Sequence, residues 1–121
     1  MADLIKQNEL QKLGLTAGEL QSKFETQLLK DFATANVEQF LQPISDFSYE
    51  TIQANISKAL EQITDNNFSS YQQLLYTIDI SERLLKEKTK ENADKNMNDI
   101  LADLIIKRIL QKIILKKVYS W

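Results

Sequence analysis

Asp99 and Asp103, like Glu87 and Glu91, stand four residues apart, a spacing that puts both carboxylates of a pair on one helical face. Paired carboxylates can hold a divalent cation or divide acid and base roles between them. Neither pair has the company such chemistry draws on. The chain contains no His and no Cys, which removes the commonest general base, the commonest metal ligand and any thiolate nucleophile. Without His there is also no Glu-x-x-His motif for a di-metal bundle site. Asp94-Lys-Asn96-Met-Asn98 has the one-three-five oxygen spacing of a calcium loop. Yet Asp99 stands where the turn glycine belongs, and Ile105 where the bidentate Glu belongs. No catalytic residue, metal or cofactor is expected, and the function anticipated is non-enzymatic.

Binding chemistry is the alternative to catalysis. Residues 1–60 carry five cations against eight acids, residues 61–98 five against seven, and residues 99–121 five against two. The chain as a whole is at −2, so its last segment is basic within an acidic body. Lys107, Arg108, Lys112, Lys116 and Lys117 form a candidate basic patch for nucleic acid or an anionic membrane surface. The same lysines also complement the negative end of a helix, as Asp99 and Asp103 complement its positive end. The tyrosines (Tyr49, Tyr71, Tyr76, Tyr119) and Trp121 are scattered, not interleaved with cations as a single-strand stacking platform would require.

Leu10-Gln-Lys-Leu-Gly-Leu-Thr-Ala-Gly-Glu-Leu-Gln-Ser-Lys-Phe24 resembles the helix-turn-helix of bacterial repressors, with a turn glycine followed at once by a helix start. The resemblance would imply a DNA-reading second helix. Here that helix offers Glu19, Lys23, Glu25, Lys30 and Asp31, a nearly balanced set unsuited to phosphates. Nucleic acid and membrane are therefore the lesser expectation.

The segment from Asp99 to Trp121 carries the strongest pattern. Apolar doublets recur every four residues, at Ile105/Ile106, Ile109/Leu110 and Ile113/Ile114, a helical period. At about 100° per residue, Ala102, Ile105, Ile106, Ile109 and Ile113 form one stripe. Leu101, Leu104, Leu115, Val118 and Tyr119 lie largely opposite, with Arg108 and Gln111 among them. A surface helix needs only one apolar stripe, so two imply burial on two sides. The second covering is either the rest of the bundle or a partner. Leu101, Leu104, Arg108, Gln111, Leu115 and Tyr119 are the expected contact residues for a protein partner or a second copy.

The elements that must position this helix are also helical. Two Gly and one Pro are too few for the tight turns of a sheet protein. A first helix is expected from about Asp3 to Leu13, closed by Gly14 with Leu15 folding back onto Leu10. Thr16-Ala-Gly-Glu19 is a capping box for the next, with Leu15 stapled onto Leu20 and a stripe of Leu20, Phe24, Leu28 and Phe32. A weaker continuation, Asn36 to Leu41, should stop near Gln42 ahead of Pro43. Ser48 caps a third helix, with Phe47 stapled onto Ile52 and a stripe of Ile52, Ile56, Leu60 and Ile63. A polar break at 64–67 precedes a capping box at Ser69-Ser-Tyr-Gln72. Asp79-Ile-Ser-Glu82 either restarts the helix or passes through it. Residues 86–98 read as a solvated helix end and a mobile polar connection. The expected architecture is a single all-α domain over 1–121, a mostly antiparallel bundle of five or six helices with the C-terminal helix central.

Composition bounds the setting. At 121 residues, 43% hydrophobic and 26% charged, the chain can bury roughly two-thirds of its unfolded surface as one globular domain. The start, Met-Ala-Asp-Leu-Ile-Lys-Gln-Asn, lacks a basic region followed by an apolar core, so no secretory leader is expected. The sequons at Asn55 and Asn67 then carry no weight. A cytoplasmic protein is expected, and thirteen Lys against two Arg suit a bacterium with an AT-rich genome. Adaptor, immunity-like and self-associating helical proteins are the classes anticipated.

Overall fold

The computed structural model describes residues 7–119, and all its regular structure is helical. In chain order these are α1 (Gln7–Leu13), α2 (Ala17–Thr34), a single 3₁₀ turn (Glu38–Phe40), α3 (Tyr49–Asn66), α4 (Phe68–Ile78), α5 (Glu82–Glu91) and α6 (Met97–Val118). The expected start of the first helix at Asp3, and the place of Trp121, lie outside the described residues. No described helix is long and apolar enough to cross a membrane.

Local sequence sets the helix boundaries. Gly14 takes φ +70°, and the Leu15 N–H donates back to the Leu10 carbonyl at 2.9 Å. The capping box at Thr16 forms in both directions: Glu19 N–H to Thr16 Oγ1 at 3.1 Å, and Thr16 N–H to Glu19 Oε1 at 3.4 Å. The same device as at Gly14 recurs at Asn36 (φ 60°) and Asp79 (φ 68°). In each case the next residue, Val37 or Ile80, donates to the carbonyl five back, Phe32 or Leu75. Leu15, Val37 and Ile80 are all buried, so each reversal plugs an apolar side chain into the core as it releases the helix.

Three expectations change, and one open alternative is decided. Asn36 does not continue α2: its left-handed backbone ends the helix, leaving one 3₁₀ turn before Pro43. The break at 64–67 shrinks to a single residue, because Asn67 closes α3 and its side chain caps α4 by accepting from Ser70 N–H at 3.3 Å. Ser69 and Ser70 are therefore inside the helix and form no capping box. Ser81 caps a restarted helix, accepting from Leu84 N–H at 3.0 Å. That helix continues to Glu91, with Arg83–Glu87 and Lys88–Glu91 pairs along it. The solvated helix end and polar connection expected over 86–98 thus resolve into the end of α5 and a linker at 92–96.

α6 is the centre of the fold and touches each of the other five helices. It buries Ile100, Leu101, Ala102, Leu104, Ile105, Ile106, Ile109 and Ile113. Opposite it stand the stripes of α2 (Leu20, Phe24, Leu28, Phe32) and α3 (Ile52, Ile56, Ala59, Leu60, Ile63). Each large apolar side chain so buried is worth about 1.5–3 kcal/mol. Phe47, expected over Ile52, meets the Phe24 ring edge-on with centroids 5.6 Å apart.

Candidate functional site

The polar residues of α6 tie it to one neighbour after another. Near its start, the Asp99 carbonyl accepts from Gln53 Nε2 at 3.0 Å, and Asp103 accepts from the Tyr49 hydroxyl. Burial, then the hydrogen bond and negative charge of Asp103, hold the Tyr49 hydroxyl well above the ordinary tyrosine range. Lys107 closes on the other oxygen of Asp103 at 2.8 Å. Arg108 donates from Nε to the Ile78 carbonyl at 3.3 Å and pairs with Asp79 at 3.2 Å, satisfying the C-terminus of α4. Lys112 reaches Asp31 at 2.8 Å, Gln27 donates to that same carboxylate group at 3.0 Å, and Lys116 donates to Gln27 Oε1 at 2.9 Å. This alternating ladder seams α2 to α6.

Three of the four paired carboxylates have side-chain partners. Asp103 is held by Tyr49 and Lys107, Glu87 by Arg83, and Glu91 by Lys88. Asn96, in the incomplete calcium loop, caps α6 by accepting from Asn98 N–H at 2.7 Å. Among the described residues, no group of three or more His, Cys, Asp or Glu side chains is placed to hold a metal ion. The five-residue basic patch is also dispersed. Lys107, Arg108 and Lys112 each face a carboxylate, and the patch divides between two grooves, Lys107 and Arg108 at one and Lys116 and Lys117 at another.

The second apolar stripe of α6 divides along its length. Leu101 and Leu104 are buried, so the chain's own core covers the N-terminal half and takes Leu101 out of reach of any partner. Leu115, Val118 and Tyr119 are 44%, 56% and 60% exposed. Between these halves α5 ends its cover, and a groove of about 600 Å³ opens along α6. Leu104, Arg108, Gln111 and Leu115 line it, four of the six expected contact residues. Tyr119 stands outside it, exposed at the end of the helix.

Sequence reasoning missed the opposite wall. Ile80 and Leu84 come from the α4–α5 reversal and the first turn of α5, and Leu110 and Ile114 from the flank of α6. Leu84 is 38% exposed, and its position was legible only once Ser81 was recognised as a helix cap. The groove floor is apolar, and Lys88, Lys107 and Arg108 stand around it with Asp79. A second apolar groove, of about 390 Å³, runs between α2 and the segment after it. Leu28, Leu29, Leu41 and Ile44 line it, and among the described residues Glu25 and Glu38 are its only charged side chains. Comparison with family models, curated proteins and solved structures finds no match to this chain.

Proposed function

We propose that this chain is a non-enzymatic helical interaction module that docks an amphipathic helix of a protein partner along the α4–α5–α6 groove. The observation that carries the reading is the half-covered second stripe of α6. Leu104 is buried beneath α5, whereas Leu84 and Leu115 stand open to solvent on the two sides of one apolar trough. Such a trough suits apolar anchors at helical spacing, and Lys88, Lys107 and Arg108 suit acidic residues beside them. The partner is another protein or a second copy of this chain. Nucleic acid or an anionic membrane draws less support, because Lys107, Arg108 and Lys112 already face Asp103, Asp79 and Asp31. A bacterial, cytoplasmic setting belongs to the same proposal and rests on composition alone: no Cys, and thirteen Lys against two Arg.

Site-specific photo-crosslinking in cells tests the reading. A photoreactive residue at Gln111 is expected to give a discrete protein adduct that Leu84→Glu abolishes. The same residue at exposed Lys58, on α3, should give none. Light scattering across a concentration series separates a second copy from a different protein. A strict monomer that gives no adduct at Gln111 defeats the reading.

A further inference from the structure

We infer that the groove between α2 and α6 is a binding site for a doubly charged oxyanion, the phosphate group of a small molecule. The groove has a volume of about 390 Å³, and among the described residues Lys23, Lys116 and Lys117 are the only charged side chains lining it. Ser22 and Thr26 add hydroxyls on the α2 side, and Ile113 is the one apolar residue lining it. None of the ion pairs among the described residues involves these lysines. The nearest buried carboxylate of the seam, Asp31, is already engaged by Lys112 and Gln27.

Two of the ammonium groups are held in place. Lys116 donates to Gln27 Oε1 at 2.9 Å, and Gln27 is itself 9% exposed and fixed by its bond to Asp31. The Lys117 stem lies over the α1–α2 turn, its Cε 3.7 Å from where a Cβ on Gly14 would stand. Its ammonium is thereby kept beside the α1–α2 turn, in the last turn of α6, where the helix dipole favours the lysine itself and any anion must be held by the side chains alone. Like charges gathered without a counter-ion raise one another's energy. A phosphate carrying close to two negative charges relieves that repulsion and offers three acceptor oxygens to ammonium and hydroxyl donors. A carboxylate carries half the charge and leaves cations unmatched. The site shares no lining residue with the α4–α5–α6 groove, so it stands or falls separately from the docking function.

The test is a titration with inorganic phosphate at constant ionic strength, with chloride and acetate as controls. Thermal unfolding and backbone amide shifts are the readouts. Phosphate is expected to raise the unfolding midpoint and to move amides of residues 22–27 and 113–117, while acetate and chloride do neither. Lys23→Gln with Lys117→Gln should raise the midpoint in chloride slightly, by relieving the repulsion, and weaken phosphate binding roughly tenfold or more. Lys23→Gln alone serves if the double variant does not fold. Lys30→Gln, an exposed lysine of the same helix outside the groove, should change nothing. Equal responses to phosphate and chloride, or a phosphate response unaltered by loss of Lys23 and Lys117, overturns the assignment. So does steeply salt-dependent binding of generic duplex DNA by a protein indifferent to phosphate, which would mark a diffuse basic surface instead.

Discussion

Lys112 and Asp31, separated by 81 positions in the chain, meet at 2.8 Å with side-chain exposures of 18% and 7%. Gln27 shares the carboxylate and passes the interaction on to Lys116. A buried pair of this kind is strongly coupled: its two halves are costly alone and tolerable together.

Asp31→Ala should therefore destabilise the fold by about 3–5 kcal/mol, because it leaves the Lys112 ammonium and the Gln27 amide without an acceptor. Asp31→Leu combined with Lys112→Met should be close to neutral, or stabilising by ~1 kcal/mol or more. A double-mutant cycle in urea measures the coupling. Additive single effects would show that the seam contributes nothing as a pair.

The two halves of the second stripe of α6 should respond differently to truncation. Leu101→Ala empties a fully buried position and is expected to cost about 2–5 kcal/mol. Leu115→Ala, at 44% exposure, should stay within about 1 kcal/mol of the parent while weakening any complex formed at the groove. Chemical denaturation and partner binding, measured on the same two variants, separate the contributions.

Gly14→Ala should lose about 1–2 kcal/mol through backbone strain alone. The site has room for the methyl group, since the nearest atom stands 3.7 Å away, but φ is +70°. A loss well under 1 kcal/mol would mean that the α1–α2 reversal adjusts its backbone.

Tyr49 gives stability a definite alkaline limit. Its hydroxyl is held above its ordinary value by burial and by Asp103, and that of Tyr71 by burial. The folded state thus keeps protons that the unfolded state releases near pH ~10. Their contribution is full below that pH and declines as pH rises above it. Tyr49→Phe should flatten the fall in stability above pH ~10 and remove a late step from the tyrosinate absorbance titration. An unchanged titration would place that step elsewhere.

Features that depend on a few consecutive residues were legible in the sequence. Gly14, Thr16 with Glu19, and Ser48 mark their helix boundaries because the groups they satisfy lie within five positions. Asn67 was hidden because Ser69 and Ser70 imitate a cap two residues further on. α5 was cut short because it buries only Leu85, so no apolar stripe announces it. The candidate site was half legible. Leu104, Arg108, Gln111 and Leu115 follow from the period of α6, but Ile80 and Leu84 are brought to them by a chain reversal at Asp79. The charge balance makes acidic partners available, and Asp103 lies one helical turn from Lys107, but the long-range partners of Arg108 and Lys112 were not legible. Asp31 and Asp79 are ordinary surface acids until the helices are packed.

Because α6 touches all five of the other described helices and follows them in the chain, the ribosome delivers the centre of the fold after everything that packs around it. While residues 17–91 emerge, the apolar stripes of α2 and α3 have no α6 to close on, and the Asp31 carboxylate has no Lys112. Cooperative folding must await α6, so the nascent chain carries an exposed core while α2 to α5 emerge. Any early stop ahead of α6 would leave a sticky, degradation-prone fragment in place of a smaller working domain.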